Sequence, residues 1–82
     1  MKIMSGDFVK VITDRFFITG IVEKIFNYGN YSIISYCYKD KSFIYMYSNY
    51  YEDFIKIIPK SKFKRKYYKL WKILNKEYRK NT

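Results

Sequence analysis

The sequence predicts a mainly β fold: five short strands curled into a small barrel, followed by one amphipathic C-terminal α-helix. Three observations carry this prediction. Five runs rich in β-branched and aromatic residues lie between Phe8 and Ile58, separated by short turn-forming stretches. Beyond Pro59 the apolar spacing changes to a helical period. The chain has 82 residues, of which 23% are aromatic. A domain this short buries only about 60–65 per cent of its unfolded surface, and rings fill a core from few positions.

Each element follows from its residues. Ser5-Gly6-Asp7 is a turn, and Phe8 to Ile12, FVKVI, is a first strand interrupted by Lys10. Thr13-Asp14-Arg15 is a loop. Phe16 to Phe26, FFITGIVEKIF, is a second, longer strand. Gly20 inside it marks a bulge, a strong bend or a close backbone approach. Asn27-Tyr28-Gly29-Asn30 is a turn whose residues accept positive φ. Tyr31 to Tyr38, YSIISYCY, is the third strand, and Lys39-Asp40-Lys41 is a hairpin connection. Ser42 to Tyr47, SFIYMY, is the fourth. Ser48 to Asp53 reads as a short helical turn. Phe54 to Ile58, FIKII, is the fifth, ended by Pro59, which has no N–H for a ladder. Five strands with tight turns suit a small closed or nearly closed barrel. A sandwich uses about seven, and closing the sheet limits exposed edges.

Lys60 to Lys80, KSKFKRKYYKLWKILNKEYRK, reads as one helix with Ser61 as its N-cap. At about 100° per residue, Phe63, Tyr67, Leu70, Trp71, Leu74 and Tyr78 share one side. Arg65, Lys69, Lys72, Lys76 and Arg79 share the other. Ile73 lies on the flank of the basic side and Tyr68 borders it. Residues 1–59 form the barrel and 60–82 a basic helix packed on it, one domain overall, with Trp71 as the helix's anchor. Lys60 to Thr82 holds ten basic residues against one acid, a net +9. Met1 to Pro59 holds seven against six, a net +1, which completes the chain's +10. Such asymmetry points to a polyanionic partner. Phe, Ile, Lys, Asn and Tyr make up 49 of the 82 residues, as in an A+T-rich coding sequence. Coding bias of that kind does not gather lysines into the last quarter of a chain.

Absences narrow the chemistry. The sequence has no His, the commonest general base and metal ligand. Its one Cys, Cys37, forms neither an internal disulfide nor a metal cluster and reads as a small buried apolar residue. Glu52-Asp53 is the one adjacent acid pair, and neighbours on a turn point apart. No GxxxxGK[ST] or GxGxxG run occurs. The expectation is a non-enzyme with no catalytic residue, metal site, cofactor or small-molecule substrate. No apolar run reaches the ~18 residues that span a bilayer. The opening MKIMSGDF lacks the apolar region of a signal peptide, so the cytoplasm is the expected compartment. Membrane-surface attachment through the helix ranks low, because the barrel needs its apolar face.

Gly6-Asp7-Phe8-Val9-Lys10-Val11, then Gly20-Ile21-Val22 opening a bent second strand, then Tyr51-Glu52-Asp53-Phe54-Ile55-Lys56-Ile57-Ile58 as a short turn feeding a last strand, form a pattern. That pattern resembles the SH3-like barrels of the KOW, Tudor and chromatin-protein type, over roughly Met4 to Ile58. A basic barrel with a C-terminal helix is also similar in outline to the small archaeal chromatin proteins. Those proteins carry their lysines on the sheet, whereas here the tail holds them, so no sheet-face DNA contact is carried over. The size, the A+T bias and the lack of catalytic groups look like small phage or mobile-element proteins, among them anti-CRISPRs. That resemblance implies a host cytoplasm.

A polyanion site needs cations for phosphates and, for single strands, rings for bases. The ring candidates are Tyr28, Tyr31, Tyr36, Tyr38, Tyr45, Tyr47, Tyr50 and Tyr51, although tyrosines at period 2 more often pack than stack. The expected function is binding of nucleic acid, or of a nucleoprotein, by Arg65, Lys69, Lys72, Lys76 and Arg79, with Lys62 and Lys66 beside them. Lysine–phosphate contacts carry no sequence readout. Five of them predict a slope of log K against log salt of about −4.5 on duplex DNA. The alternative is a phage or mobile-element inhibitor, anti-CRISPR-like, that plugs the acidic surface of a host nuclease or clamps a ribonucleoprotein by touching its RNA. The oligomeric state stays open.

Overall fold

The computed structural model describes residues 2–26, 29–49 and 54–81. The elements are β1 (Phe8–Ile12), β2 (Phe17–Ile25), β3 (Asn30–Cys37), β4 (Ser42–Asn49), β5 (Phe54–Ile58), α1 (Lys60–Lys66) and α2 (Tyr68–Asn81). The strands form one antiparallel sheet in the order β4-β3-β2-β1-β5. β1 and β5 have the expected bounds, and β2 and β3 differ from them by one residue at each end. β4 runs on to Asn49, so Ser48 and Asn49 belong to a strand and not to the expected helical turn. The rest of that turn, with Tyr50 and Tyr51, lies outside the described residues, as does Tyr28.

Barrel closure is not found. β4 and β5 are the two edges of an open sheet, and among the described residues no ladder joins them. β5 is only five residues long and, among the described residues, pairs with β1 alone. The sheet nonetheless buries both faces. Val9, Val11, Val22, Tyr31 and Ile33 share one face, none more than 2% exposed. Ile3, Met46, Ile55 and Ile57 pack against them. Among the described residues no helix residue joins this cluster. Met46 of β4 and Ile55 and Ile57 of β5, from the two edges of the sheet, all reach this cluster, so the sheet curls over it without closing.

Gly20 permits the curl. A Cβ there would lie 2.5 Å from the Ile34 carbonyl oxygen and 2.6 Å from Ile33 Cγ2. Of the three meanings that glycine carried, close backbone approach is the one realised. β2 pairs with β1 up to Ile21 and with β3 from Ile21 onward. Its bulge falls later, where the register shifts between Val22 and Lys24.

The helices cover the other face. Phe8, Ile21 and Ile34 from the sheet meet Phe63 of α1 and Leu74 of α2 in a second buried cluster. The Phe8 and Phe63 rings stack with centroids 4.3 Å apart. Leu70, Trp71 and Tyr78 complete the contact, so the predicted apolar side of the tail is the docked side. Tyr67 is the exception and stays 37% exposed.

The tail is two helices, not one. The break falls at Tyr67, whose φ of −129° and ψ of 55° leave the helical region. The Tyr67 N–H still donates to the Phe63 carbonyl oxygen, which closes α1. Lys64, Arg65 and Lys66 fill the last turn of α1, where the dipole favours cations. No Gly or Pro announces the break. Tyr67 and Tyr68, both modest helix formers, turn to different neighbours: Tyr67 to Phe63 at 5.2 Å and Tyr68 to Trp71 at 6.1 Å. Pro59, not Ser61, occupies the N-cap, and no side chain caps the helix.

Candidate nucleic-acid interface

Strand alternation places the site. Val9 and Val11 point into the curl, so Phe8, Lys10 and Ile12 point to the helix side. Phe63 covers Phe8, and the sheet continues beyond the helices. Lys10 lies opposite Thr19 on one side and Lys56 on the other. Ile12, one step further, lies opposite Phe17 and Phe54. The sheet therefore carries a cationic row followed by an apolar row.

Lys62 and Lys66, four apart on α1, meet the cationic row. Lys10, Lys56, Lys62 and Lys66 line a cleft of about 140 Å³, with Pro59 and Tyr67 in its wall. No acid lines it among the described residues. Lys10 and Lys56 are direct cross-strand partners, and like charges so placed destabilise a sheet by a fraction of a kcal/mol, up to about 1. Lys10 Nζ sits 4.3 Å from the Phe17 ring centroid and Lys66 Nζ 5.4 Å from that of Tyr67. These cation–π contacts hold the cations beside rings without neutralising them.

Two further clefts flank Trp71. Lys72, Lys76 and Arg79 line one of about 290 Å³ with Trp71 and Asn75. Lys60 and Lys64 enter the other, about 360 Å³, with Trp71 and Tyr78. Lys64 Nζ lies 4.6 Å from the Trp71 ring centroid. Trp71 is thus anchor and wall together: half-buried on the core, with an edge in both clefts.

Two acids at the tail, Glu77 and Glu23, accept hydrogen bonds. The Tyr45 hydroxyl donates to the Glu77 carboxylate at 2.5 Å. That bond raises the Tyr45 pKa above the usual 10.0, since ionisation would set two anions side by side. The Asn81 amide donates to Glu23 and to the Tyr45 hydroxyl. Ser32 donates to the other Glu23 oxygen, and Glu23 sits where the β2 register shifts. Tyr78 donates to Ser5 Oγ, whose own proton goes to the Glu23 carbonyl. These bonds tie α2 to β2, β4 and the N-terminal turn.

The seven predicted site residues therefore divide. Lys62 and Lys66 join the cleft that Lys10 and Lys56 line. Lys72, Lys76 and Arg79 stay together on α2. Arg65 and Lys69 are exposed but belong to none of these clefts, and the break at Tyr67 puts them on different helices. The five residues therefore lie on two helices and not along one continuous helix. Lys10 and Lys56 are the residues that sequence reasoning missed. Their signal was present: each is a lone lysine between inward-facing neighbours in a strand. Among the ring candidates, Tyr31 is core, Tyr36 packs edge-on against Tyr38 and Phe43, Tyr45 holds Glu77, and Tyr47 is exposed beside Phe26.

Comparison with known protein families, characterised proteins and solved structures finds no match to this chain. Among the described residues no helix is long and apolar enough to cross a membrane.

Proposed function

We propose that this chain is a non-enzymatic protein that binds nucleic acid, bare or within a nucleoprotein, through lysines and with little sequence readout. One observation carries the reading. Four lysines from β1, β5 and α1 converge on one cleft that no acid lines among the described residues. Two of them face each other across a ladder, at a cost in stability that a bound phosphate would relieve. The lysines and Arg79 of α2 extend the basic surface away from that cleft. We also read the fold as an SH3-like barrel left unclosed. The strand order, the sharing of β2 between β1 and β3, and the curl over a dry face support that reading.

The test is a titration of labelled random-sequence DNA and RNA at stepped salt, followed by fluorescence anisotropy. Binding should fall in the micromolar range typical of non-specific contacts. Four lysine–phosphate contacts give a slope of log K against log salt of about −3.6 on duplex. Changing Lys10 and Lys56 together to Glu should flatten that slope by about 1.8. A salt-independent affinity, or none up to about 10⁻⁴ M, overturns the proposal. Lack of nucleic-acid binding together with tight capture of an acidic protein would assign the lysines to that partner instead.

A further inference from the structure

An exposed apolar row lies beside the lysines, with Lys10 Nζ 4.3 Å from the centroid of one of its rings, Phe17. Phe17 is 63% exposed, Phe54 64% and Ile12 38%, all on the helix side of the sheet. None belongs to either core cluster. Two phenyl rings and an isoleucine in one row are more than a scatter of single apolar side chains. We infer that this row stacks bases, and that the ligand of the lysine cleft is a single-stranded polynucleotide; the inference rests on the nucleic-acid reading above.

The geometry suits a single strand. Phe17 on β2 and Phe54 on β5 flank Ile12 on β1, so strand spacing sets their backbones about 10 Å apart. That spacing accepts two splayed bases with Ile12 between them. The lysine row lies two residues down the same strands, about 7 Å away. A strand whose bases lie on the rings thus has its phosphates beside Lys10 and Lys56, with Lys62 and Lys66 next along the cleft. A duplex keeps its base faces stacked inside and offers these rings nothing. Stacking is sequence-tolerant, because every base has a π-face. A second copy of the chain is a poor occupant, because covering the apolar row would bring the two lysine rows together.

The experiment uses the full chain with labelled single-stranded DNA, single-stranded RNA and duplex DNA of equal length, at one salt concentration. Wild type should bind at least one single strand about tenfold more tightly than duplex. Phe17→Ala and Phe54→Ala should each weaken single-strand binding, roughly five- to a hundredfold. Duplex binding should change less than about twofold. Phe54→Leu keeps apolar area without a ring and should behave like Phe54→Ala. Unchanged thermal melts check that these exposed positions leave the fold intact. Equal affinity for single strand and duplex overturns the inference while leaving the nucleic-acid reading standing. Ring variants that weaken both ligands alike, or that shift the sedimentation coefficient instead, do the same. Failure to bind either form overturns both.

Discussion

The two ends of the basic tail pack on the same sheet face, and only at one of them are carboxylates seen, among the described residues, to accept hydrogen bonds from the tail or its neighbours. At the α2 end, Glu77 and Glu23 receive hydrogen bonds from Tyr45, Asn81 and Ser32, and the contacts close on themselves. At the α1 end, Lys62 and Lys66 meet Lys10 and Lys56 with no acid in the cleft wall. Both ends carry a basic cleft that no acid lines among the described residues, and the α2 end adds a latch of hydrogen-bonded carboxylates. The tail's net charge is therefore not a uniform stripe. Its meaning depends on which strands each helix meets.

The hardest break is at the docking residue of the α1 end. Phe63 is the one buried residue of α1. Phe63→Ala should cost about 3–5 kcal/mol in urea unfolding, a large share of the roughly 5–15 kcal/mol of a small domain. Binding should fall with it, because Lys62 and Lys66 lose their placement over the sheet.

A charge change separates the ends more sharply. Lys56→Glu turns a repelling cross-strand pair with Lys10 into an attractive one. Stability should rise by a fraction of a kcal/mol, up to about 1, while nucleic-acid affinity drops and its salt slope flattens by about one phosphate contact. Glu77→Gln should do the reverse at the latch. It weakens the bond to Tyr45, costs about 1 kcal/mol or less of stability, and leaves the salt slope unchanged. Paired melts and anisotropy titrations of the two variants test the comparison directly. Parallel losses of stability and binding in both would abolish it.

The smallest effect is a pH response confined to the latch. The Tyr45 pKa is raised in the folded chain by its bond to Glu77. The stabilisation from that bond is complete below the ordinary tyrosine pKa of about 10. It is lost as pH climbs through the raised value. The stability difference between wild type and Tyr45→Phe, a few tenths of a kcal/mol for so exposed a group, should be constant below pH ~10 and shrink above it. A difference that vanishes at neutral pH would remove the latch.

Periodicity and turn chemistry are local, so the chain alone specified the five strands and the docked side of the tail, and it marked Gly20 as a special position without deciding between bulge, bend and close approach. It also specified a cationic C-terminal segment. Fold closure and the site were not local matters. The period-2 pattern reveals that Lys10 and Lys56 point away from their valine and isoleucine neighbours, but not that β1 and β5 lie side by side. Pairing of strands more than forty positions apart puts those lysines opposite one another. The helix break at Tyr67 has no Gly or Pro to announce it. It arises where one segment must seat Phe63 on β1 while the next seats Leu74 against the same buried cluster. A helical wheel assumes one straight axis, and the break at Tyr67 divides the tail between two helices.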